Sequence, residues 1–337
     1  MTEFNVNKQF TLLDRAARSI DGKRILPIIS VMSKKVSDFL DDIPFIEANR
    51  GLQHQLIRDV GMASSTRRRF YGKVVSTHRP SQTSFEPIAL LERRSEVDED
   101  HIDTLENPTQ ERQNQDIGHM EKLGEDLANA FFHDDPADGS EFIHGLEPRL
   151  NKLNQTLKNT YDGGGSGGDT TSIYIVEWNT RDGAMGLFPP NWMKNTRFGI
   201  AARNKGKERV GDTEATGYYY AYVTQFKAWL GLAVGNERKI ARITNLEATI
   251  GATNSFESNG DALLIEALNL GRFDKARTRI YMNETMKTQV DIVAQRKSNV
   301  NLRIEMAFGK PVETIHGVPL RVVDNTIIIN TETVVTA

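Results

Sequence analysis

The stretch NPTQERQNQDIGHMEKLGEDLANAFFH, residues 107–133, decides the fold class. Asn107 is a good N-cap, Pro108 fits the first helical turn, and Gln110 completes a capping-box pattern. Ile117, Met120, Leu123, Leu127, Ala130 and Phe131 recur at three- and four-residue spacing and form one apolar stripe. Asp116, Glu121, Glu125 and Asp126 lie off that stripe. The helix stops at Asp134-Asp135-Pro136. At 1.5 Å per residue it is roughly 40 Å long, a span for a whole domain.

Upstream, the sequence reads as extended. Phe70-Tyr71-Gly72-Lys73-Val74-Val75-Ser76-Thr77 is β-rich and is bounded by the turn signal Arg79-Pro80-Ser81. Phe85 to Leu91 is the expected return strand, with Pro87 suggesting an edge or a bulge. A two-stranded ribbon is marginal alone and needs a surface to lie on. Residues 1–43 read as an arm with two short helical stretches, Phe10 to Arg18 and Val31 to Leu40, neither long enough to be stable alone.

Charge divides sharply at the foot of the helix. Residues 50–94 carry nine Lys and Arg against three acids, and residues 95–141 carry fifteen acids against two bases. The whole chain is nearly balanced, at a net charge of −3. Such a split suits contact between copies, basic arm on acidic body, or else forms two solvated faces. Arg67-Arg68-Arg69-Phe70-Tyr71 also suits nucleic acid, since arginine and aromatics fit phosphates and bases. The docking arm is the preferred reading, because an acidic surface is encoded just downstream in every copy.

Composition narrows the classes. At 337 residues the chain can bury one large core or two ordinary ones, and apolar residues make up only 38%. The absence of cysteine excludes disulfides, thiolate metal sites and cysteine nucleophiles. No apolar run approaches the roughly 20 residues of a membrane-spanning helix, and Met1-Thr2-Glu3-Phe4 opens no signal peptide. A cytosolic origin and no membrane association are expected.

Beyond the helix, Leu150 to Tyr161 reads as another helix and residues 163–168 as a glycine-rich loop. Ser172 to Trp178 is an apolar strand, and Gly186-Leu187-Phe188-Pro189 follows a turn. Lys194 to Gly217 reads as a long polar loop. Tyr218 to Val234 begins a long hairpin turning at Gly235-Asn236. Helices are expected at Asp261 to Leu270 and Glu284 to Gln295, with a strand Arg279 to Met282 between them. Two strands, Val318 to Val323 and Thr326 to Asn330, close the chain. Helices and strands mix without βαβ alternation, which makes the class α+β.

Motifs for chemistry are decoys. Gly164-Gly165-Ser166-Gly167-Gly168 matches G-x-S-x-G but lies between helix and strand in the wrong order for a nucleophile elbow. No Gly-Lys pair is followed by Ser or Thr, so no phosphate loop is present. The seven histidines never fall at i, i+4, and the acidic turn Asp134, Asp135, Asp138 and Glu141 lacks calcium-loop spacing. No cofactor, metal or catalytic residue is expected.

The order of arm, basic ribbon, long helix and mixed body resembles the major capsid proteins of tailed bacteriophages, with the Hong Kong 97-type shell fold. Phe142-Ile143-His144-Gly145-Leu146-Glu147-Pro148-Arg149 is similar to the family's F-x-G-L-x-x-R segment. Thr171-Ser172-Ile173-Tyr174-Ile175-Val176-Glu177-Trp178 is similar to its T-S-I-W-L-V-x-W, and Gly186 to Pro189 to its G-I-Y-P. The strongest likeness is Phe226-Lys227-Ala228-Trp229-Leu230-Gly231-Leu232-Ala233-Val234, running on through Arg242-Ile243-Thr244-Asn245-Leu246. Gly317 to Asp324 resembles the closing strand. The ribbon matches only loosely.

The resemblance implies an N-terminal arm (1–62), an extended loop or E-loop (63–94), a peripheral domain (95–141 and 218–247, with spine helix 107–133) and an axial domain (142–217 and 248–337). It implies a non-enzymatic shell protein of the virion, forming pentamers and hexamers around double-stranded DNA without sequence-specific binding. It also implies assembly in the host cytoplasm, portal and scaffolding partners, and in some shells a decoration protein. Candidate intersubunit residues are Arg67, Arg68, Arg69, Phe70, Lys73 and Arg79 on the ribbon, and Glu96, Asp98, Glu99, Asp100, Glu121 and Glu125 on the acidic body. Some shells of this fold crosslink through a ribbon lysine, but nothing marks Lys73 as activated. The ribbon starts too early for a long cleaved leader, so no cleavage and a separate scaffolding protein are expected. Two other readings remain: a bacterial nanocompartment shell, and a soluble enzyme or nucleic-acid-binding protein using the basic ribbon.

Overall fold

The computed structural model describes residues 19–20, 24–25, 39–59, 65–74, 76, 81–104, 107–153, 157–190, 199–211, 217–296, 302–307 and 310–336. Along the chain, β1 (Ser19–Ile20) and β2 (Arg24–Ile25) pair antiparallel. After a helical turn at residues 39–42 come β3 (Phe45–Glu47), β4 (Gln53–Asp59) and β5 (Ser81–Asp98). Then follow the helices α1 (Glu99–Asp103), α2 (Pro108–His133) and α3 (Leu146–Arg149). Next are β6 (Thr160–Asp162), β7 (Thr170–Glu177), β8 (Ala184–Phe188), β9 (Gly199–Val210), β10 (Tyr219–Val234) and β11 (Ile240–Glu247). The last third holds α4 (Asp261–Leu270), β12 (Thr278–Asn283), α5 (Glu284–Arg296), β13 (Leu302–Ala307), β14 (Lys310–Ile315) and β15 (Val318–Val323).

Two compact units share these elements. The first comprises Met1–Met32, Leu91–Gly124 and Ile200–Ala228; the second comprises Ser33–Leu90, Glu125–Gly199 and Trp229–Ala337. Strands β5 and β10 and helix α2 run from one into the other.

The second unit is built on a sheet of order β13-β14-β15-β12-β7-β11-β6. Strand β7 is buried at every position, as expected for a strand covered on both faces. Ile173, Ile175, Ile243, Leu246, Ile280 and Met282 pack with Leu264 of α4 and with Met286 and Val290 of α5. On another side an aromatic cluster gathers Phe39, Phe131, Phe132, Trp178 and Tyr281, with Phe39 and Tyr281 edge to face at 5.1 Å. Such pairs add about 0.5–1.5 kcal/mol each to their area burial.

A second sheet carries β3, β8, β10, β5 and β4 in that order, and β9 also pairs β10. Parallel pairing of β3 with β8 brings Phe45 beside Gly186. A Cβ on Gly186 would stand 2.4 Å from the Phe45 ring and 2.8 Å from Ile43. Gly186→Ala is therefore expected to destabilise the fold by about 1–3 kcal/mol through overpacking. A thermal midpoint equal to that of the unmodified chain would refute this packing account.

Several expectations meet corrections. The partner of β5 is Gln53–Asp59, in register from Gln53↔Pro87 to Asp59↔Ser81, not Phe70 to Thr77. Residues 65–74 form no strand, and Phe70-Tyr71 is a turn with Tyr71 at φ 65°. The inward positions of β4 include His54 and Arg58, so its alternation carries little apolar signal. Lys194 to Gly217 contains β9 rather than a continuous loop. Gly235-Asn236 closes no hairpin, because β11 leaves to pair antiparallel with β7 and parallel with β6. Leu150 to Tyr161 is not a helix among its described residues; only four residues of α3 are helical, and β6 follows. Residues 326–330 form turns and bends rather than a strand. The Phe10 to Arg18 helix lies outside the described residues, as does nearly all of Val31 to Leu40.

Candidate functional site: the extended loop and the charged framework

The loop between β4 and β5 carries the ribbon residues named from the sequence. Arg67, Arg68, Arg69 and Lys73 are exposed there, and Phe70 and Tyr71 are 96% and 104% exposed. A tight turn presents them: the Gly72 N–H donates to the Arg69 carbonyl at 3.0 Å. Tyr71 occupies the left-handed region, which non-glycine residues rarely adopt. Arg79 lies outside the described residues. At the loop's base, Ile57 (71%) and Phe85 (48%) remain exposed on the outward face of β4 and β5, with the Arg50 guanidinium 5.3 Å from the Phe85 ring centre.

The acidic candidates in the first unit are partly committed already. Glu96 pairs with Arg94 at 2.7 Å and accepts from the Tyr219 hydroxyl at 3.4 Å. Asp98 caps α1 by accepting from the Asp100 N–H at 2.9 Å. Glu99 pairs with Lys207. Asp100 is exposed, while Glu121 and, in the second unit, Glu125 are half-buried and engaged in interactions. Exposed pairs of this kind contribute about 0–1 kcal/mol each. The apolar stripe of α2 also divides. Leu123, Leu127, Ala130 and Phe131 are buried, but Ile117 and Met120 are 51% and 42% exposed. Glu111 takes a buried place instead, and Asp116 accepts from the Thr224 hydroxyl at 3.0 Å. The spine therefore offers two apolar side chains to solvent beside its carboxylates.

Behind the loop's base, the second unit holds buried charge. Glu86, on β5, is 3% exposed at its side chain. It receives both terminal nitrogens of Arg149 at 3.1 and 2.6 Å and Nη2 of Arg58 at 3.1 Å. Arg58 also reaches Glu237 at 2.6 Å and the Val234 carbonyl at 2.7 Å. Three segments of chain are thus fastened at one carboxylate, which fixes where the loop leaves the body. Nearby His144 is pushed down by burial and by Arg149, against Glu86.

The sequence model of the major capsid protein GP7 family matches residues 21–336, nearly the whole chain. The chain belongs to the major capsid protein GP7 family. Among solved structures, a chain of bacteriophage Epsilon15 superposes with a TM-score of 0.74 at 23% identity, covering 100% of both chains. The bacteriophage JBD30 capsid gives 0.41 at 9% identity, over 88% of this chain and 90% of that one. The SrpI encapsulin of Synechococcus elongatus PCC 7942 gives 0.46 at 10%, over 70% and 95%. No curated protein matches. The protein is a structural shell protein of the Hong Kong 97 type, as the ordered segments of the sequence imply.

In this capsid protein two arginines of the family-like segments have buried side chains. Arg149 ends the F-x-G-L-x-x-R-like segment and serves Glu86. Arg242, wholly buried, serves Glu147 at 3.1 Å and Glu332 at 2.9 Å. A lone Arg inside an apolar strand such as Ile240–Glu247 was the available signal, since arginine is almost never fully buried unless paired. Asp42 is similarly shared: Arg279 and Arg321 bind it at 3.2 and 2.9 Å, and the Tyr281 hydroxyl donates to it at 3.2 Å. Among the described residues no three His, Asp or Glu are grouped to hold a metal, and no helix is long and apolar enough to cross a membrane.

Proposed function

We propose that copies of this chain form pentamers and hexamers that close an icosahedral container around double-stranded DNA. The E-loop of one subunit lies across the helix-bearing region of a neighbour, and head-to-tail contacts of this kind generate rings. In this reading residues 63–94 are the docking arm, with a paired base beginning at Gln53. Residues 95–141 and 218–247 are the peripheral domain, and 142–217 and 248–337 the axial domain. The near-complete exposure of Phe70 and Tyr71 amid four basic residues is the observation that carries the arm's role. Charge guides encounter and register over the roughly 8 Å that physiological salt allows, while apolar contact holds the joint. DNA is enclosed without sequence-specific contacts, in keeping with a net charge of −3. No catalytic step belongs to this reading. Portal and scaffolding proteins complete assembly in the host cytoplasm, with a decoration protein as a further partner.

Size-exclusion chromatography with negative-stain microscopy tests the reading. The purified full chain is expected to give rings or megadalton shells. A monomer that persists at high concentration and shifts a DNA probe would overturn it.

A further inference from the structure

Residues 324–336 form an irregular strap that side chains of the second unit hold in place. Ile327, Ile328, Glu332 and Val335 are its buried anchors. Asn245 lies at φ 58° where the pairing of β11 shifts register between Ile243 and Leu246. Its amide accepts the Val335 N–H and donates to the Val335 carbonyl, both at 2.9 Å, in place of a neighbouring strand. Asn283 donates to the Ile328 carbonyl at 3.0 Å. Thr170 exchanges backbone and hydroxyl hydrogen bonds with Glu332, at 2.8 and 2.7 Å.

His133, the last residue of α2, makes one end of this fastening. Its Nδ1 meets a Glu147 carboxylate oxygen, and its Nε2 meets the Ile327 carbonyl at 2.5 Å. Both partners only accept, so both ring nitrogens must donate, and only the imidazolium can do that. The neutral ring must give up either the carboxylate or the strap. We propose that His133 is a proton-operated clasp, which holds residues 324–336 against the second unit when charged and loosens them when neutral.

The surroundings agree with this assignment. Burial alone pushes the His133 imidazolium down. The Glu147 hydrogen bond and charge, with the Ile327 carbonyl and the Glu332 charge, outweigh that and hold its pKa above 6.5. Asp134 follows His133 in the chain and adds a further negative charge. Arg242 on β11 binds Glu147 and Glu332 together and faces Tyr174 on β7. Burial raises the Glu147 carboxyl, but His133 and Arg242 bring it below its ordinary value. Burial raises Glu332 above its ordinary value despite Arg242 and Ser172, and its Oε1 has no hydrogen-bond partner. A folded histidine pKa above 6.5 means that its contribution is complete below pH 6.5 and is lost as pH rises through the folded value.

Hydrogen exchange of the full-length protein, read at the Glu332 and Val335 amides and corrected for intrinsic base catalysis, tests the clasp. Protection is expected to fall several-fold between pH 6 and pH 9, while β7 amides in the sheet interior keep theirs. In His133→Gln the strap should exchange faster at pH 6, and its corrected pH dependence should flatten. Protection of the unmodified strap that stays constant from pH 6 to 9 overturns the proposal, even if the variant does not fold. An unchanged pH dependence in a folded His133→Gln protein overturns it equally.

Discussion

Arg242→Ala is expected to destabilise the second unit by about 3–5 kcal/mol, the usual result of leaving a buried partner charge uncompensated. The Arg242 side chain is 1% exposed and Glu332 is 4% exposed. The guanidinium also donates to the Ser172 hydroxyl at 3.0 Å and to the Leu150 carbonyl at 3.4 Å. Its removal leaves Glu332 buried with the Ser172 hydroxyl as its remaining side-chain partner and leaves Glu147 with His133 alone. The expected readout is a large fall in the denaturation midpoint, or accumulation of insoluble chain. The energetics of buried ion pairs make a second outcome diagnostic. Arg242→Met combined with Glu332→Leu should recover much of the loss, because apolar replacement of both partners removes the desolvation cost together with the attraction. A single substitution within about 0.5 kcal/mol of the parent, the range of ordinary surface changes, would show that the network is not holding the unit together.

Reversing Arg67, Arg68 and Arg69 to glutamate is expected to abolish shell formation, or to confine it to high salt. All three are exposed and make no ion pair among the described residues. The folded subunit should therefore keep its thermal midpoint while assembly fails, a separation that the Arg242 substitution cannot give. Three like-charge contacts introduced at one joint oppose association by several kcal/mol at low salt and less as salt screens them. Light scattering and microscopy across a salt series report the effect. Normal particles at both low and high salt would remove charge from the docking model.

Helix α2 was legible because its signals are local: a proline at its start, an apolar period along it and a break after it. The buried strands β7, β12 and β15 were legible as apolar runs for the same reason. What escaped depends on partners distant in sequence. Strand β4 turns His54 and Arg58 inward, where His54 is buried and Arg58, half-buried, is received by Glu86, Glu237 and the Val234 carbonyl, partners distant in sequence. Strand β9 is polar throughout most of its length and is a strand because β10 lies beside it. The strap at 324–336 looks like a closing strand in its apolar content, yet Asn245, Asn283 and Thr170 take the hydrogen bonds a neighbouring strand would have taken. The basic half of the proposed joint was plain from composition, and Arg67, Arg68, Arg69 and Lys73 are exposed. Of the acidic half, Glu96, Asp98 and Glu99 are already used within the subunit, which no charge count reveals.

The two compact units are interleaved along the chain, and this has a consequence for biosynthesis. The first unit requires Leu91–Gly124 and Ile200–Ala228, while the second waits for Trp229–Ala337. A ribosome must therefore deliver residue 228 before the first unit can close, and nearly the whole polypeptide before the second can. Long-range strand pairing of this kind is intrinsically slow. Until translation is almost complete, the nascent chain therefore holds neither unit's full complement of segments together with the other's.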